Sequence, residues 1–292
     1  MDGGSGGDTA VFSGLISDYT LRESNGVITV TANTGTDGED TLTSIENLQF
    51  KDTSIKANEI NLEVKQYIAW QQNGVIHMDT DRDADVERFL SYGNGSLDDE
   101  YLVGDWDGNG LDDIAIRQGN NIYMDTGNGG NHDILLSYGN GNSEDQYLVG
   151  DWNGDGTDNI AVRRGNKIYM NTNRDGVHDI LLSYGRGNSE DQYLVGDWDG
   201  NGIDDIAFRR GNKIYMDTNR DGVHDILHSY GNGSPSDEYL VGDWDGNGID
   251  DIAVRYGNGI YMDTNRDGAH DIFHTFATGN SGQYLVGNWN NV

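Results

Sequence analysis

The stretch GDWDGNGIDDIAVRYGNGIYMDTNRDGAHDI, Gly242 to Ile272, carries two acidic, glycine-punctuated loops, Asp243–Asp251 and Asp263–Asp271, each set between short apolar runs. Those runs are rich in β-branched and aromatic residues and too short for helices, so they read as strands. No apolar period of 3.6 runs through the repeat. The pattern recurs along the chain: YLVGDW begins at Tyr101, Tyr147, Tyr193 and Tyr239, and a variant, YLVGNW, at Tyr284. Spacings of 46, 46, 46 and 45 residues mark a solenoid, a propeller or an array of stacked units.

Each unit reads as four strands, which in the third full unit are 193–198, 205–210, 213–218 and 225–230. Gly211-Asn212 joins the second to the third as a tight hairpin. Acidic loops join the first to the second and the third to the fourth. A longer polar link, such as GNGNSEDQ at 139–146, leads to the next unit. Each unit is therefore a four-stranded antiparallel meander. Five Ile-x-Met strands occur, at Ile76, Ile122, Ile168, Ile214 and Ile260. The first of them has no YLVGDW before it, and the last YLVGNW has no hairpin after it. The piece missing at one end is the surplus piece at the other. The fold expected is all-β: a five-bladed β-propeller over residues 63–292, closed by the C-terminal strand, after a small β-rich segment at 1–62. An open array would need a cap at each end and leaves the complementary half-repeats without a reason.

The chain has 292 residues, 50 acids against 18 bases and a formal charge of −32. That charge excludes general attraction to nucleic acid or to an anionic membrane, and it implies self-repulsion unless cations intervene. With 10% aromatic and 35% hydrophobic residues, the chain is not a disordered acidic tail. Cysteine is absent, which removes disulfides, thiolate metal sites and thiol nucleophiles. No apolar run approaches the roughly 18 residues of a membrane span, and no signal peptide is visible at MDGGSGGDTA. The chain opens inside a glycine-rich motif, so Met1 reads as the start of a monomeric fragment of a longer protein.

The acidic loops place oxygen donors at alternate positions. In the first loop of a unit these are positions 1, 3, 5 and 9, with a carbonyl available at 7 and glycine at 6. A hard cation needs this arrangement, and calcium, taking six to eight oxygens at variable angles, fits it best. The first-loop sets are Asp105, Asp107, Asn109, Leu111 and Asp113; Asp151, Asn153, Asp155, Thr157 and Asn159; Asp197, Asp199, Asn201, Ile203 and Asp205; and Asp243, Asp245, Asn247, Ile249 and Asp251. The second-loop sets are Asp79, Asp81, Asp83 and Glu87; Asn171, Asn173, Asp175, Val177 and Asp179; Asp217, Asn219, Asp221, Val223 and Asp225; and Asp263, Asn265, Asp267, Ala269 and Asp271. Two copies are decayed: Asp125–Asp133 lacks two donors, and Asn288/Asn290 runs off the end. About eight Ca2+ ions are expected, which would bring the charge from −32 to about −16. The simpler reading is that Asp, Asn and Gly only make turns; their repetition argues against it.

An Asp-x-Asp/Asn-x-Asp/Asn-Gly-x-x-Asp loop after an apolar LVGD strand resembles the FG-GAP repeats of integrin α-subunit propellers and their bacterial relatives, over residues 67–292. The resemblance implies a calcium-binding propeller. Those propellers usually have seven blades and one such loop per blade, whereas five units and a doubled loop stand here. GGSGGDTAVF at 3–12 resembles one nonapeptide of the RTX, or hemolysin-type, calcium repeat, and residues 13–52 resemble the β-rich segment that follows such repeats. This implies a large secreted bacterial protein exported by a type I route, with Asp8 as a ligand of an incomplete site.

Other repeated residues are read as follows. His132, His178, His224 and His270 fall one per unit, too far apart for a metal site, and are expected to pack. Trp106, Trp152, Trp198, Trp244 and Trp289 are expected to wedge between blades rather than form a sugar platform. Arg163–Arg164, Arg209–Arg210 and Arg255–Tyr256, on the face opposite the acidic loops, are either solvated turns or contacts for carboxylated glycans. The units are near copies with no long insertion, so no active site is expected. The function expected is an extracellular, calcium-dependent binding or adhesion module for glycans or another cell-surface ligand. The alternatives are a purely structural module that drives folding after export, and a polysaccharide-active enzyme.

Overall fold

In the computed structural model the chain is all-β, with no α-helix among the described residues. These are residues 1–292 except 5, 16–18, 25–26, 33–37, 52, 58–65, 81–85, 97–98, 143, 189–190, 276–281 and 290–292. Two compact units are present, Met1–Val64 with Asp245–Gly248, and Lys65–Trp244 with Ile249–Val292.

The first unit contains β1 (Thr9–Val11), β2 (Tyr19–Ser24), β3 (Val27–Ala32), β4 (Glu39–Thr43), β5 (Asn47–Gln49) and β6 (Ser54–Lys56). β2, β3 and β4 form one antiparallel sheet; β5 pairs with β1 in parallel and with β6 antiparallel. Phe12, Tyr19 and Phe50 meet in its core, with Phe12 and Phe50 stacked at 5.1 Å. The Asp8 amide donates to the Glu46 carboxylate at 2.6 Å, and Asp8 Oδ2 is buried without a partner.

The second unit holds five four-stranded antiparallel sheets among the described residues. Sheet A has β7 (Tyr67–Gln72), β8 (Val75–Asp79) and β9 (Arg88–Ser91). Sheet B has β10 (Glu100–Gly104), β11 (Asp113–Gln118), β12 (Asn121–Asp125) and β13 (Ile134–Ser137). Sheet C has β14 (Gln146–Gly150), β15 (Asn159–Arg164), β16 (Lys167–Asn171) and β17 (Ile180–Ser183). Sheet D has β18 (Gln192–Gly196), β19 (Asp205–Arg210), β20 (Lys213–Asp217) and β21 (Ile226–Ser229). Sheet E has β22 (Glu238–Gly242), β23 (Asp251–Tyr256), β24 (Gly259–Asp263) and β25 (Ile272–Thr275). The last strand, β26 (Gln283–Gly287), completes sheet A by pairing with β7, Tyr284 opposite Trp70 and Leu285 opposite Ala69. The two half-repeats are thus one sheet. First strands lie side by side: β10 beside β26 and β14, β18 beside β14 and β22, and β22 beside β26.

Local chemistry accounts for the meander. The β7–β8 hairpin turns at Asn73 and Gly74, both with positive φ, as a two-residue type I′ turn requires. Second strands are buried on both faces because each sheet is sandwiched. On β11, Ile114 and Ile116 join a cluster with Leu285 and Trp289 of the sheet A side, while Ala115 between them joins one with Tyr147 and Ile160 of sheet C. Period two therefore survives, but both phases are apolar. Outer strands are only four residues long and alternate, with Leu135 exposed and Leu136 buried on β13. Short edges limit pairing with other chains.

Neighbouring sheets are joined by a repeated two-point clasp. Asp158 of sheet C donates its amide to the Asp105 carbonyl of sheet B (2.8 Å), and its Oδ2 accepts the Asp105 amide (2.8 Å). Asp204 grips Asp151, Asp250 grips Asp197, and Asp112 grips Asn288 in the same way. Gln66 occupies the equivalent position beside Gly242. These five residues and one valine from each first strand line a cavity of about 160 Å³. The glycine ending each first strand permits this approach: a Cβ on Gly196 would lie 2.8 Å from Val241 Cγ1 and 2.9 Å from Asp250 Oδ2.

Gly196→Val is therefore expected to force sheets D and E apart and to destabilise the fold by about 1–3 kcal/mol, read as a lowered midpoint in urea. Deleting Gln283–Val292 removes Leu285 and Trp289 from their cluster. A loss of at least about 5 kcal/mol is expected from two large buried side chains; an unchanged denaturation midpoint would mean that β26 contributes nothing to sheet A.

Candidate functional site

The first acidic loop of a sheet folds around its own leading aspartate. Asp197 Oδ1 accepts the amides of Gly200 (2.7 Å) and Asn201 (3.1 Å), and Oδ2 accepts that of Gly202 (2.7 Å). Asp199 Oδ1 accepts the Asn201 amide, and Asn201 Oδ1 the Ile203 amide. Gly202 has φ of +80°, a conformation in which glycine carries no Cβ penalty. The same bonds recur at Asp105–Leu111 and at Asp151–Thr157.

Three of these loops bring carboxylates together. Asp105, Asp107 and Asp113 form one group, Asp197, Asp199 and Asp205 a second, and Asp243, Asp245 and Asp251 a third, with ligand atoms of each group within 4.8 Å of one another. These groups could hold a metal ion. The fourth first loop does not match them: the Asn159 side-chain amide donates to the Thr157 carbonyl at 2.8 Å, so two of the expected donors face each other. Burial, then the charge of Asp107, pushes Asp113 up to about 8; burial, then Asp199, does the same to Asp205. Burial also raises Asp105. Asp205 Oδ2 is buried without a hydrogen-bond partner. An orphaned carboxylate oxygen among like charges suits a hard divalent cation, which takes oxygen donors and offsets the repulsion.

The second loop is built differently. Asp217 Oδ2 accepts the Gly222 amide (2.8 Å) and Asp221 Oδ1 the Val223 amide (2.8 Å), but Asp225 turns to Thr218, accepting its amide (3.0 Å) and hydroxyl (3.2 Å). The Asn219 amide donates to the other Asp225 oxygen at 3.1 Å. Asp263, Asn265, Asp267, Ala269 and Asp271 repeat this. Asn171, Asn173, Asp175, Val177 and Asp179 share the Thr172 cap and the Asn173 amide contact. Glu87 takes the part of Asp225 with Thr80, at 2.7 Å to its amide. Among the described residues no second loop gathers three carboxylates. Asp81 and Asp83 lie outside the described residues. The leading aspartates also meet histidines of a neighbouring sheet: His228 Nε2 is 3.1 Å from Asp263 Oδ2, and His274 Nε2 is 3.0 Å from Asp79 Oδ2. The threonine at position 2, where the first loop has tryptophan, is the sequence signal that separates the two loops.

Position 4 of the second loop carries a residue that sequence reasoning passed over. Arg174, Arg220 and Arg266 sit at positive φ. Arg220 donates to the carbonyls of Trp152 (2.7 Å) and Asp204 (2.5 Å), and Arg266 to those of Trp198 and Asp250. Each places a guanidinium beside the clasp.

The other repeated side chains serve packing. Trp106, Trp152, Trp198, Trp244 and Trp289 are buried, and Trp106 packs with Tyr147 of the next sheet. His132, His178, His224 and His270 stand edge-on to Tyr123, Tyr169, Tyr215 and Tyr261. Arg163, Arg209 and Arg255 lie over Tyr193, Tyr239 and Tyr284, 4.0–4.4 Å from the ring centroids. Arg164 and Arg210 pair with Asp145 and Asp191. These arginines are held by their own chain, while the Arg164 and Arg210 side chains stay 34% and 37% exposed at the turns that follow them.

No family model matches the chain. No curated protein matches it. Solved structures with likeness to it include an Agrocybe aegerita lectin described by its specific recognition of non-reducing terminal N-acetylglucosamine, at 16% identity over 92% of this chain and 81% of the lectin, with a TM-score of 0.43. A Bacteroides caccae protein of unknown function is 11% identical over 72% of this chain and 73% of its own, with a TM-score of 0.42. The V. cholerae biofilm matrix protein Bap1 is 14% identical over 72% of this chain and 39% of its own, with a TM-score of 0.33.

Proposed function

We propose that the chain is a calcium-stapled five-bladed β-propeller of FG-GAP type, preceded by an RTX-like segment, that works outside the cell as a binding or adhesion module for glycans. The observation that carries the calcium reading is the gathering of three carboxylates at each of three first loops, one of them with a buried orphaned oxygen. Supporting the propeller are five four-stranded sheets, the pairing of β26 with β7 and the side-by-side succession of first strands. In this reading the three first loops bind tightest, and the fourth first loop and the second loops make up the remainder of about eight sites. Near-identical surfaces repeated around one axis give avidity for a polymer that itself repeats. Export by a type I route would precede calcium binding, since extracellular calcium modules commonly have dissociation constants of about 10⁻⁴–10⁻³ M.

A second reading, a structural module with no ligand of its own, is favoured by one observation: the tryptophans and arginines suited to sugars are consumed in packing between sheets.

Equilibrium dialysis is expected to find at least three calcium ions per chain. Excess calcium is expected to raise the melting temperature, with about 2.7 kcal/mol per site at a hundredfold excess over the dissociation constant. Asp197→Ala is expected to remove much of that gain and Asp125→Ala little of it. Fewer than three ions, or identical melting with chelator, would overturn the calcium reading. A glycan array probed with calcium present separates the two functional readings, because a folded, calcium-loaded chain that captures no glycan is the structural module.

A further inference from the structure

Sheet E departs from its siblings where its central hairpin closes. In sheets C and D the second strand ends in an arginine and the third begins with a lysine, Arg164 and Lys167 in one, Arg210 and Lys213 in the other. The arginines reach back to the preceding link: Arg164 Nε and Nη2 donate to Asp145 at 2.6 and 2.9 Å, and Arg210 Nε and Nη2 to Asp191 at 2.8 and 2.7 Å. In sheet B the corresponding Gln118 donates to Asp99 at 2.7 Å. In sheet E the two positions are Tyr256 and Gly259. Tyr256 stands 63% exposed. Gly259 lets two further rings close in, since a Cβ there would lie 3.0 Å from both Tyr261 Cε2 and Phe273 Cε2. Two cations are thus exchanged for an aromatic ring and for no side chain at all.

A cavity of about 390 Å³ lies at this seam, lined by Asn232 of the link from sheet D and by Val254, Tyr256, Tyr261 and His270 of sheet E. Small-molecule sites span roughly 300–1,000 Å³ and combine ring surface with a few polar groups. Both are accessible here. His270 is exposed and stands edge-on to Tyr261 at 5.3 Å. Asn232 is exposed, and its Oδ1 accepts the Ser234 amide at 2.9 Å, which fixes the side chain and leaves its NH2 to donate. Asp237 is the one lining residue with a fixed charge, and it is only 4% exposed.

We propose that this pocket holds one neutral pyranose unit, stacked on the Tyr256 ring, at a single site per chain. The proposal rests on the glycan reading above and gives it a place, the seam between sheets D and E. A pyranose has an apolar C–H face and a rim of hydroxyls. The tyrosine ring suits the first, and the Asn232 amide and the His270 imidazole suit the second. An acidic sugar would find no lysine or arginine on the lining and would meet a chain of charge −32, which repels it. The site is single because Arg164 and Arg210 stand where sheet E has Tyr256, so the seams before sheets C and D lack the platform. Tyr256 also escapes the fate of the tryptophans, which are buried between sheets.

The test is calorimetric titration of the full chain, in calcium, with methyl β-glucopyranoside, methyl β-galactopyranoside and the methyl glycoside of glucuronic acid. One neutral glycoside per chain is expected to bind, at least about tenfold tighter than the uronate. Tyr256→Ala is expected to weaken binding about tenfold and Tyr256→Phe by less than about threefold, because the ring and not the hydroxyl is the platform. Asn232→Ala is expected to cost about fivefold, the loss of one hydrogen bond. Tyr256 is exposed, so its variants are expected to melt with the parent. Equal binding by the parent and Tyr256→Ala, or several equivalent sites per chain, would overturn the pocket while leaving the glycan reading standing. Equal binding of the uronate would overturn the neutral class. Binding of none of the three by the folded, calcium-loaded chain would overturn the pocket and the glycan reading together.

Discussion

The aspartate clasp between sheets is the contact on which the rest of the second unit depends. Each of Asp112, Asp158, Asp204 and Asp250 holds both the carbonyl and the amide of the residue that opens a loop on the preceding sheet. It docks one sheet on the next and fixes the start of the loop whose carboxylates cluster. The large apolar clusters follow from that docking, because tryptophan at position 2 is driven into the seam just behind the clasp. Packing and ion chemistry are therefore coupled through a single backbone position.

The clasp has an electrostatic cost. Burial raises all four carboxylates; Asp204 reaches about 7, and Asp158 and Asp250 are raised well above their ordinary value. A carboxyl that titrates higher in the folded chain than in the unfolded one favours folding when protonated. That contribution is lost as pH rises through the folded value. Near neutrality the fold thus works against its own charge. Arg174, Arg220 and Arg266 offset part of it by placing guanidinium groups on the carbonyls of Asp158, Asp204 and Asp250. The carboxylate groups of the first loops add to the same excess.

Repetition made the fold legible. A 46-residue period, strands of five or six residues and a two-residue hairpin were enough to draw four strands per unit, and the half-repeats at either end foretold that β26 would pair with β7. The acidic loops were legible as oxygen clusters, but their two kinds were not told apart. Position 9 of the second loop is drawn away by Thr218 or Thr264, a competition that donor spacing does not express. In the Asp-Asp pairs at 112–113, 204–205 and 250–251 only the second residue carried an expected role, as position 9 of the loop, whereas the first faces the neighbouring sheet. That role is long-range and leaves no local pattern.

The outer strands have a consequence of a different kind. Phe89, Leu135, Leu181, Leu227 and Phe273 stand exposed, one on the edge strand of each sheet. In a neutral protein such a set of greasy rims would invite copies to adhere edge to edge. Here the surface charge acts as the colloidal barrier, and it is screened by salt and reduced by bound cations. On the reading proposed above, the ions that tighten each molecule also thin the barrier between molecules, so internal order and mutual stickiness rise together with the concentration of the cation.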